Sequence, residues 1–356
     1  MTSLLIFLLF LIVFQLLLVL VALLKGCHKY FLLQEVKLLE RYGGTGSWVV
    51  ITGASSGQGY DMAQAFAKRG FNLLMIGSKR TDAAADQIRA ENPDIKIKVL
   101  QKDFRQAFQD DFFVSIEAAF EEVGDDLAIL VNNVGHRVGW NPFHEMKADY
   151  IRDVIATGTM VQSRLTHMAI PYFIKRRASE AGTEKKSASA AGTEKKSASA
   201  AGTEKKSALI NITAQCMHPN FLFGLTLSNE ISVPYLSVYE AANAFGFYQG
   251  NSIYKEYQGQ FDILNITPGA VITKNTTCLT NTLFNVSSEK FVAQIMKMIG
   301  NVQGHTCAYW GHALSNYLIN LMPQMKDSML KKVGLTIADD FMAKVDETKY
   351  ELAPSA

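Results

Sequence analysis

Short apolar runs alternate with amphipathic stretches along most of the chain, and this alternation limits the fold more than any other feature. Helix-like segments such as Tyr60–Arg69 and Ala83–Arg89 separate the runs. Strands joined through helices form βαβ units, which build a parallel sheet covered on both faces. The sequence therefore predicts one doubly wound α/β domain over residues 46–325. The strand-like runs are Trp48–Thr52, Asn72–Ile76, Ile97–Leu100, Leu127–Asn132, Ala208–Thr213 and Phe261–Ile266.

A long apolar run, Leu4 to Leu24, precedes this region, with Gln15 as its only strongly polar member. At ~1.5 Å per residue the run extends about 30 Å, which matches the hydrocarbon thickness of a bilayer. A cleaved signal peptide is the alternative, but the start has no basic residue and the run ends at Lys25 without a small-residue cleavage site. The sequence predicts a retained transmembrane anchor over residues 1–25 and a linker over residues 26–45.

Charges flanking this run predict its orientation. No Lys or Arg precedes it, and the positive-inside rule then leaves the rest of the chain in the cytosol, with a single pass. The basic residues that follow are Lys25, Lys29, Lys37 and Arg41. N-glycosylation sequons would matter only in a lumenal domain, and Asn211 and Asn265 fall in predicted strands where a glycan does not fit. We interpret all four sequons as chance occurrences; the other two are at Asn275 and Asn285.

Composition excludes several other classes of protein. The 356 residues carry a formal net charge of only +2, which argues against a nucleic-acid partner because such proteins present a clustered basic face. The four cysteines form no CxxC pair and have no histidine at metal-ligand spacing. A disulfide scaffold and a structural metal site are therefore not expected.

A low-complexity repeat interrupts the α/β pattern. The decapeptide AGTEKKSASA begins at Ala181, repeats at Ala191 and starts again at Ala201. Its composition cannot bury apolar surface, so we predict a solvated insertion over residues 178–207 on the rim of the sheet. Near the end, Tyr309–Met322 is apolar but too short to span a bilayer, and it is either a core helix or a helix at the membrane surface. Residues 326–356 form a tail.

A glycine-rich turn follows the first predicted strand and opens a helical pattern. It reads Thr52-Gly53-Ala54-Ser55-Ser56-Gly57-Gln58-Gly59. Glycines at this spacing allow a tight turn and a close approach to a pyrophosphate, which rests against the positive end of the helix dipole. Such a loop in this context predicts a dinucleotide site of the Rossmann type.

The order of several motifs resembles the short-chain dehydrogenase/reductase family, which has TGxxxGxG after the first strand and NNxG after the fourth. The second motif is Asn132-Asn133-Val134-Gly135 here, and Pro268-Gly269-Ala270-Val271-Ile272-Thr273 resembles the family's nicotinamide loop. The resemblance covers nearly all of residues 45–325 and implies that Asp103 contacts adenine. The anchor, the segment Ser287–Gly300 and the apolar tail Leu318–Pro323 resemble the branch of 17β-hydroxysteroid dehydrogenases and very-long-chain 3-oxoacyl-CoA reductases. That branch resides in the endoplasmic reticulum membrane and reduces ketones on lipid-like substrates with NADPH.

The end of the second strand bears on the choice of cofactor. NAD selectivity usually needs an acidic residue there, but the chain has Gly77-Ser78-Lys79-Arg80. The two cations favour the 2′-phosphate of NADP(H), and the alternative is a solvated basic turn. The candidate cofactor-binding residues are thus Gly53, Ser55, Ser56, Gly57, Gly59, Ser78, Lys79, Arg80, Asp103, Asn133, Gly135, Pro268, Gly269, Val271 and Thr273.

The resemblance implies Tyr239 as the catalytic acid, but the rest of the family's tetrad is degenerate. Position 243, on the same helix face, is Asn instead of Lys, so it has no charge to stabilise a phenolate. The family's serine would fall at Thr213 or Ala214, and its relay asparagine aligns with Gly158. An insertion around Gln215–Asn229 separates the strand from Tyr239. Other hydroxyls that could replace the serine are Thr226, Ser228 and Ser232.

This constellation leaves several functions open. A tyrosine of pKa ~10 stays protonated at pH 7 and can donate a proton during ketone reduction, whereas only about one in a thousand is the phenolate that oxidation needs. The leading hypothesis is an NADPH-dependent reductase with a hydrophobic small-molecule substrate and membrane lipid around its anchor. The second is an inactive homologue that serves as a nucleotide-binding membrane scaffold or regulatory subunit, and the third is a structural membrane protein without nucleotide. The resemblance also implies a homodimer, paired through the helices after strands four and five.

Overall fold

A computed structural model describes residues 2–136, 138–139, 141–190, 206–214, 220–222, 225–227, 234–273, 276 and 280–321. The strands are β1 (Trp48–Thr52), β2 (Asn72–Gly77), β3 (Ile97–Gln101), β4 (Leu127–Asn132), β5 (Ala208–Ile212), β6 (Asn220–Leu222), β7 (Leu225–Leu227), β8 (Asp262–Ile266), β9 (Val271–Ile272), β10 (Val286–Ser287) and β11 (Gly304–Thr306). The α-helices are α1 (Thr2–Cys27), α2 (Leu38–Arg41), α3 (Gly57–Ala67), α4 (Arg80–Glu91), α5 (Val114–Val123), α6 (Ala148–Ile155), α7 (Val161–Ala190), α8 (Ser237–Glu256), α9 (Ser288–Met298) and α10 (Trp310–Leu321).

Seven parallel strands form the central sheet, in the order β11-β8-β5-β4-β1-β2-β3. The order reverses at β1, and β1 and β4 are neighbours, so the carboxyl ends of these two strands flank the point where doubly wound folds bind ligands. The predicted fold class is confirmed, and all six predicted strands are present. The edge strand β11 was not predicted, because Gly304-His305-Thr306 is too short and too polar to stand out as an apolar run.

Alternate residues of each inner strand serve two separate cores. In β1, Val49 and Ile51 pack into one core with helices α3 and α9, whereas Val50 packs into the other with α5 and α7. Each of these side chains is fully buried. Successive strand residues point to opposite faces of a sheet, so helices on both faces cover these apolar strands.

The N-terminal helix α1 passes directly into a π-helical turn, His28–Leu32. Within the described part of the chain, Leu4–Leu32 is the one helix long and apolar enough to cross a membrane, and none of its most apolar window is buried inside the protein. Twenty-nine residues at ~1.5 Å each give about 43 Å, the full thickness of a bilayer with its headgroups.

Residues 33–42, here called the strap, join this helix to the domain and lie against the surface of the domain. Arg69 donates to Glu35 (2.7 Å from Nη2), and Asn301 Nδ2 donates to the carbonyl of Gln34 at 2.7 Å. Further along, Asp262 accepts from Arg41 Nε at 2.9 Å and from the hydroxyl of Tyr42 at 2.7 Å. The predicted linker is therefore held to the domain by hydrogen bonds along its length.

The repeat insertion falls between α7 and β5. Helix α7 ends at Ala190, at the close of the first decapeptide, and residues 191–205 lie outside the described residues, as does the tail over 326–356. Two sequon asparagines, Asn211 and Asn265, lie in β5 and β8 and are 1% and 2% exposed. Asn211 Nδ2 donates to Asn265 Oδ1 at 2.9 Å, so a glycan has no room at either position.

Candidate active site

The carboxyl ends of β1 and β4 are fastened together by Thr52. Its hydroxyl accepts hydrogen bonds from the backbone N–H groups of Asn133 and Val134, at 2.9 and 3.0 Å. In return, Asn133 Nδ2 donates to the carbonyl of Thr52 at 2.9 Å. The two sequence motifs that predicted a dinucleotide site are therefore in direct contact at the switch point of the sheet.

The glycine-rich turn passes very close to this contact. A Cβ on Gly59 would lie 2.3 Å from the carbonyl oxygen of Gly53 and 2.5 Å from Asn133 Nδ2, so no other residue fits there. Gly53 adopts φ 67°, a conformation that favours glycine. Ser55 and Ser56 complete the turn, and α3 begins at Gly57. This bare backbone at a helix N-terminus fits the diphosphate of a dinucleotide.

A cavity of about 140 Å³ opens beside the turn, and four of the predicted site residues line it. Tyr239 and Asn243 from α8 line it together with Asn133 and Gly135 from the second motif. Its remaining lining residues are Gln58, Val134, His136, Val154, Gly158, Gln162, Ile212, Thr213 and Ala242. Tyr239 therefore lies on the wall of the same cavity as the glycine-rich turn and the NNxG motif.

Gln58 is a cavity residue that sequence reasoning missed. Its Oε1 atom is buried and accepts no hydrogen bond from any described residue. A buried amide oxygen without a donor costs about 1–3 kcal/mol, so it is a ready acceptor for a ligand N–H group. Its place inside the glycine-rich turn is the signal that could have identified it.

Asn243 lines the cavity, but its amide donor is already engaged. Its Nδ2 atom donates to the backbone carbonyl of Tyr239 at 2.8 Å, one helical turn earlier, so its donor is used within α8. Gly158 lies in a π-helical turn, Ala156–Met160, against the same helix. A Cβ at Gly158 would lie 3.0 Å from the Cβ of Ala242, so a relay asparagine fits there only if Ala242 shifts by a few tenths of an ångström.

Of the hydroxyls weighed for the serine position, Thr213 lies on the cavity wall. Its backbone N–H donates to the carbonyl oxygen of Ile266 at 2.9 Å, and its Oγ1 lies 3.4 Å from that oxygen. The neighbouring candidate, Ala214, carries no hydroxyl. Thr226 falls in β7 of a two-stranded hairpin with β6, and Ser228 and Ser232 lie outside the described residues.

The predicted nicotinamide loop, residues 268–273, faces the glycine-rich turn. A Cβ on Gly57 would lie 3.3 Å from Thr273 Cγ2. The loop itself is held by His312 of α10, whose Nδ1 accepts from the N–H of Gly269 at 3.1 Å and whose Nε2 lies 3.2 Å from the carbonyl of Ala270. His312 is only 1% exposed, and burial lowers the pKa of its imidazole. A histidine so far along the chain gave no signal in the sequence.

Ser78, Lys79 and Arg80 lie at the end of β2 and the start of α4, and all three are exposed. Neither cation forms an ion pair with any described residue, so both remain available to a phosphate. Asp103 follows β3 and accepts from Arg105 through both carboxylate oxygens, at distances between 2.5 and 3.1 Å. These hydrogen bonds to the guanidinium lower the pKa of the Asp103 carboxyl, which stays ionised near neutral pH.

Comparisons with known proteins find similar sequences. The family model described as short chain dehydrogenase matches residues 47–219. A very-long-chain 3-oxoacyl-CoA reductase of Aspergillus terreus is 31% identical over 145 residues, which are 40% of this chain and 40% of that protein. Hydroxysteroid dehydrogenase-like protein 1 of Gallus gallus is 25% identical over 306 residues, which are 82% of this chain and 76% of that protein. The match to the fungal reductase thus spans about two fifths of its length.

Solved structures share the fold. A short-chain dehydrogenase from Sphingobium yanoikuyae in complex with NADPH has a TM-score of 0.55 at 21% identity, and covers 78% of this chain and 96% of its own. A structure that addresses 7β-hydroxysteroid dehydrogenase stereoselectivity has a TM-score of 0.60 at 18% identity, and covers 79% of this chain and 93% of its own. At these identities the likeness is one of fold.

Proposed function

We propose that the chain is a member of the short-chain dehydrogenase/reductase family and, within it, a membrane-anchored, NADPH-dependent reductase of a ketone on a lipid-like substrate. One observation carries the proposal: Tyr239 lies on the wall of the cavity that the glycine-rich turn and the NNxG motif also line. This position supports Tyr239 as a proton donor beside a dinucleotide site, as carbonyl reduction requires.

The residues of the turn fit the proposed cofactor. The bare backbone around Gly53 and Gly59 accommodates a diphosphate, and the exposed cations Lys79 and Arg80 lie where a 2′-phosphate would be recognised. When bound, NADPH supplies the hydride. The buried oxygen of Gln58 can accept from a carboxamide N–H at the cavity wall.

Within the cavity, the side chains of this chain hold the carbonyl and deliver its proton. The Tyr239 hydroxyl donates a proton to the carbonyl oxygen, while Thr213 is the hydroxyl placed to hold that oxygen. Position 243 supplies an amide and no ammonium group, so it provides no positive charge to the phenol of Tyr239. General acid–base catalysis contributes about 10²–10⁴-fold, so turnover is slowed while positioning still operates.

Substrate and location follow from the anchor and from the names of the relatives. Relatives named very-long-chain 3-oxoacyl-CoA reductase and hydroxysteroid dehydrogenase-like protein support a 3-oxoacyl-CoA or steroid ketone as substrate. The apolar helix Leu4–Leu32 supports a single-pass anchor, which we place in the endoplasmic reticulum membrane with the domain in the cytosol. Two copies are proposed to pair through α7 and α8, as the family resemblance implies.

A second function is favoured by two observations on α8. The Asn243 amide is turned onto its own helix, and the close approach of Gly158 to Ala242 disfavours a relay side chain. Both features suit an inactive homologue that binds the nucleotide and acts as a membrane scaffold or regulatory subunit.

Purified full-length protein separates the two functions. It is incubated with NADPH and a panel of 3-oxoacyl-CoAs and steroid ketones, alongside Tyr239→Phe and the matched control Tyr248→Phe, whose ring is exposed on the same helix. NADPH oxidation that is lost only in Tyr239→Phe supports the reductase. Thermal stabilisation by NADPH with background turnover in every variant supports the scaffold, and no stabilisation by NADPH or NADH contradicts both.

A further inference from the structure

An exposed apolar patch lies where the N-terminal helix meets the domain. Its members come from three separate segments: the π-helical turn, the loop before β10, and α10. Exposed fractions are 61% for Phe31, 60% for Leu32, 48% for Leu283, 38% for Phe284 and 40% for Leu318. We call these five residues, together with Trp310, the anchor-side patch.

Contacts between the three segments make this a single surface. The rings of Phe31 and Trp310 lie 6.0 Å apart between centroids. The loop before β10 crosses the first turn of α10 so closely that a Cβ on Gly311 would lie 2.2 Å from the carbonyl oxygen of Leu283. Leu318 is seven residues beyond Gly311, so it lies on the same face of the helix.

The strap fixes this surface relative to α1. Glu35 pairs with Arg69 of the domain, and Asn301 donates to the backbone of Gln34. Only three residues separate Phe31 from Glu35, so the helix leaves the domain at a defined place. A bilayer that encloses α1 must therefore end beside the anchor-side patch.

The length of the helix gives the depth of the patch. The uninterrupted apolar run Leu4–Leu24 fills about 30 Å of hydrocarbon, so Lys25 and the turn that follows lie among the headgroups. Phe31 belongs to that turn, and Trp310 packs against it. Tryptophan and tyrosine rings are enriched at this depth, and lysine side chains extend from it to water.

We propose that the anchor-side patch lies in the interfacial layer of the membrane that holds α1, as a second and peripheral lipid contact. The inference rests on the anchor of the proposed function. It orients the domain, because α10 carries both Trp310 of the patch and His312, which holds the predicted nicotinamide loop. The side of the domain with that loop then faces the membrane, where a lipid-like substrate is dissolved.

Fluorescent probes in the full-length chain test the depth of the patch. Cys27, Cys216 and Cys278 are replaced by serine and the buried Cys307 is kept; single cysteines are then introduced by Phe284→Cys or Leu283→Cys and labelled with nitrobenzoxadiazole. Phe14→Cys reports on the anchor. Phe108→Cys is the matched control, since Phe108 is 49% exposed but follows β3, the sheet edge opposite β11 and about 29 Å away.

The labelled proteins are reconstituted in phosphatidylcholine vesicles, with nitroxide lipids as membrane quenchers and iodide as the aqueous quencher. The proposal expects position 284 to be quenched by a nitroxide near the headgroup, position 14 by a deep nitroxide, and position 108 by iodide alone. If position 14 is quenched but 284 behaves like 108, the patch inference fails while the anchor stands. Shielding of 284 from both quenchers would assign the patch to a protein partner, either a second copy or residues 322–356. An unquenched position 14 refutes the anchor and the patch together.

Discussion

The Nδ1 atom of His312 accepts a hydrogen bond from the backbone N–H of Gly269 at 3.1 Å, across 43 residues of sequence. Because Nδ1 is the acceptor, the proton of the neutral ring resides on Nε2, which donates to the carbonyl of Ala270 at 3.2 Å. One buried imidazole thus holds two peptide units of the predicted nicotinamide loop, Pro268–Gly269 and Ala270–Val271. The loop's geometry depends on α10 being in place.

Replacing this histidine should loosen the loop. His312→Phe keeps a flat ring but leaves the Gly269 N–H without its acceptor, and we expect a loss of about 1–3 kcal/mol in the free energy of unfolding. Stabilisation by NADPH should fall with it, measured as the shift in melting temperature. The matched control is His144→Phe, because the side chain of His144 is 81% exposed. Equal effects of the two substitutions would contradict the role of His312.

The same histidine predicts a pH dependence of stability. Burial lowers the pKa of His312 in the folded state, so below the unfolded value of ~6.5 the unfolded chain binds the extra proton. Stability should therefore decrease as the pH falls from about 6.5 towards the folded pKa, by up to about 1.4 kcal/mol per pH unit from this group. Urea unfolding between pH 7.5 and 5 measures it. The slope should be shallower in His312→Phe and unchanged in His144→Phe.

The sheet and the motifs that contact it could be predicted because both are encoded by residues close together in the sequence. Apolar runs identify β1 and β4, and glycine spacing identifies the turn between β1 and α3. His312 and Gln58 were missed for a different reason: their roles come from contacts between distant segments, or from burial of one atom. Asn243 shows the same limit, since its spacing from Tyr239 was clear but the direction of its amide was not.

Introducing the family's lysine at position 243 tests whether a positive charge there activates Tyr239. In Asn243→Lys, an ammonium group near the Tyr239 hydroxyl should lower the pKa of that phenol and increase the phenolate fraction at pH 7. Alcohol oxidation, which needs the phenolate, should gain about tenfold or more, and ketone reduction should gain less. Initial rates in both directions with NADP(H) measure this. Asn243→Gln, which adds length without charge, should show no gain, and Tyr239→Phe should abolish the gain in the lysine variant.

The exposed cations after β2 should set the preference for NADPH. Lys79→Ala combined with Arg80→Ala removes two charged donors for a 2′-phosphate, each worth about 1.5–3 kcal/mol, so NADPH affinity should fall by about a hundredfold or more while NADH affinity stays constant. Calorimetry with each nucleotide measures the two affinities. Arg89→Ala, on the same helix but paired with Asp86, is the control. A parallel loss of NADH binding would contradict phosphate recognition by these residues.

The strap should be held mainly by the contact of Tyr42 with Asp262. The Tyr42 ring is fully buried and its hydroxyl donates to Oδ2 at 2.7 Å, while Arg41 Nε donates to the same oxygen. Tyr42→Phe preserves the packing but removes a donor to a charged acceptor, so we expect a loss of about 1–2 kcal/mol in unfolding free energy. Tyr60→Phe is matched in chemistry, yet its hydroxyl makes only an exposed 3.3 Å contact with Gln87 and should change stability by less than about 0.5 kcal/mol. Faster hydrogen exchange across residues 33–42 in the first variant alone would show that this contact keeps the strap, and with it helix α1, at a fixed position on the domain.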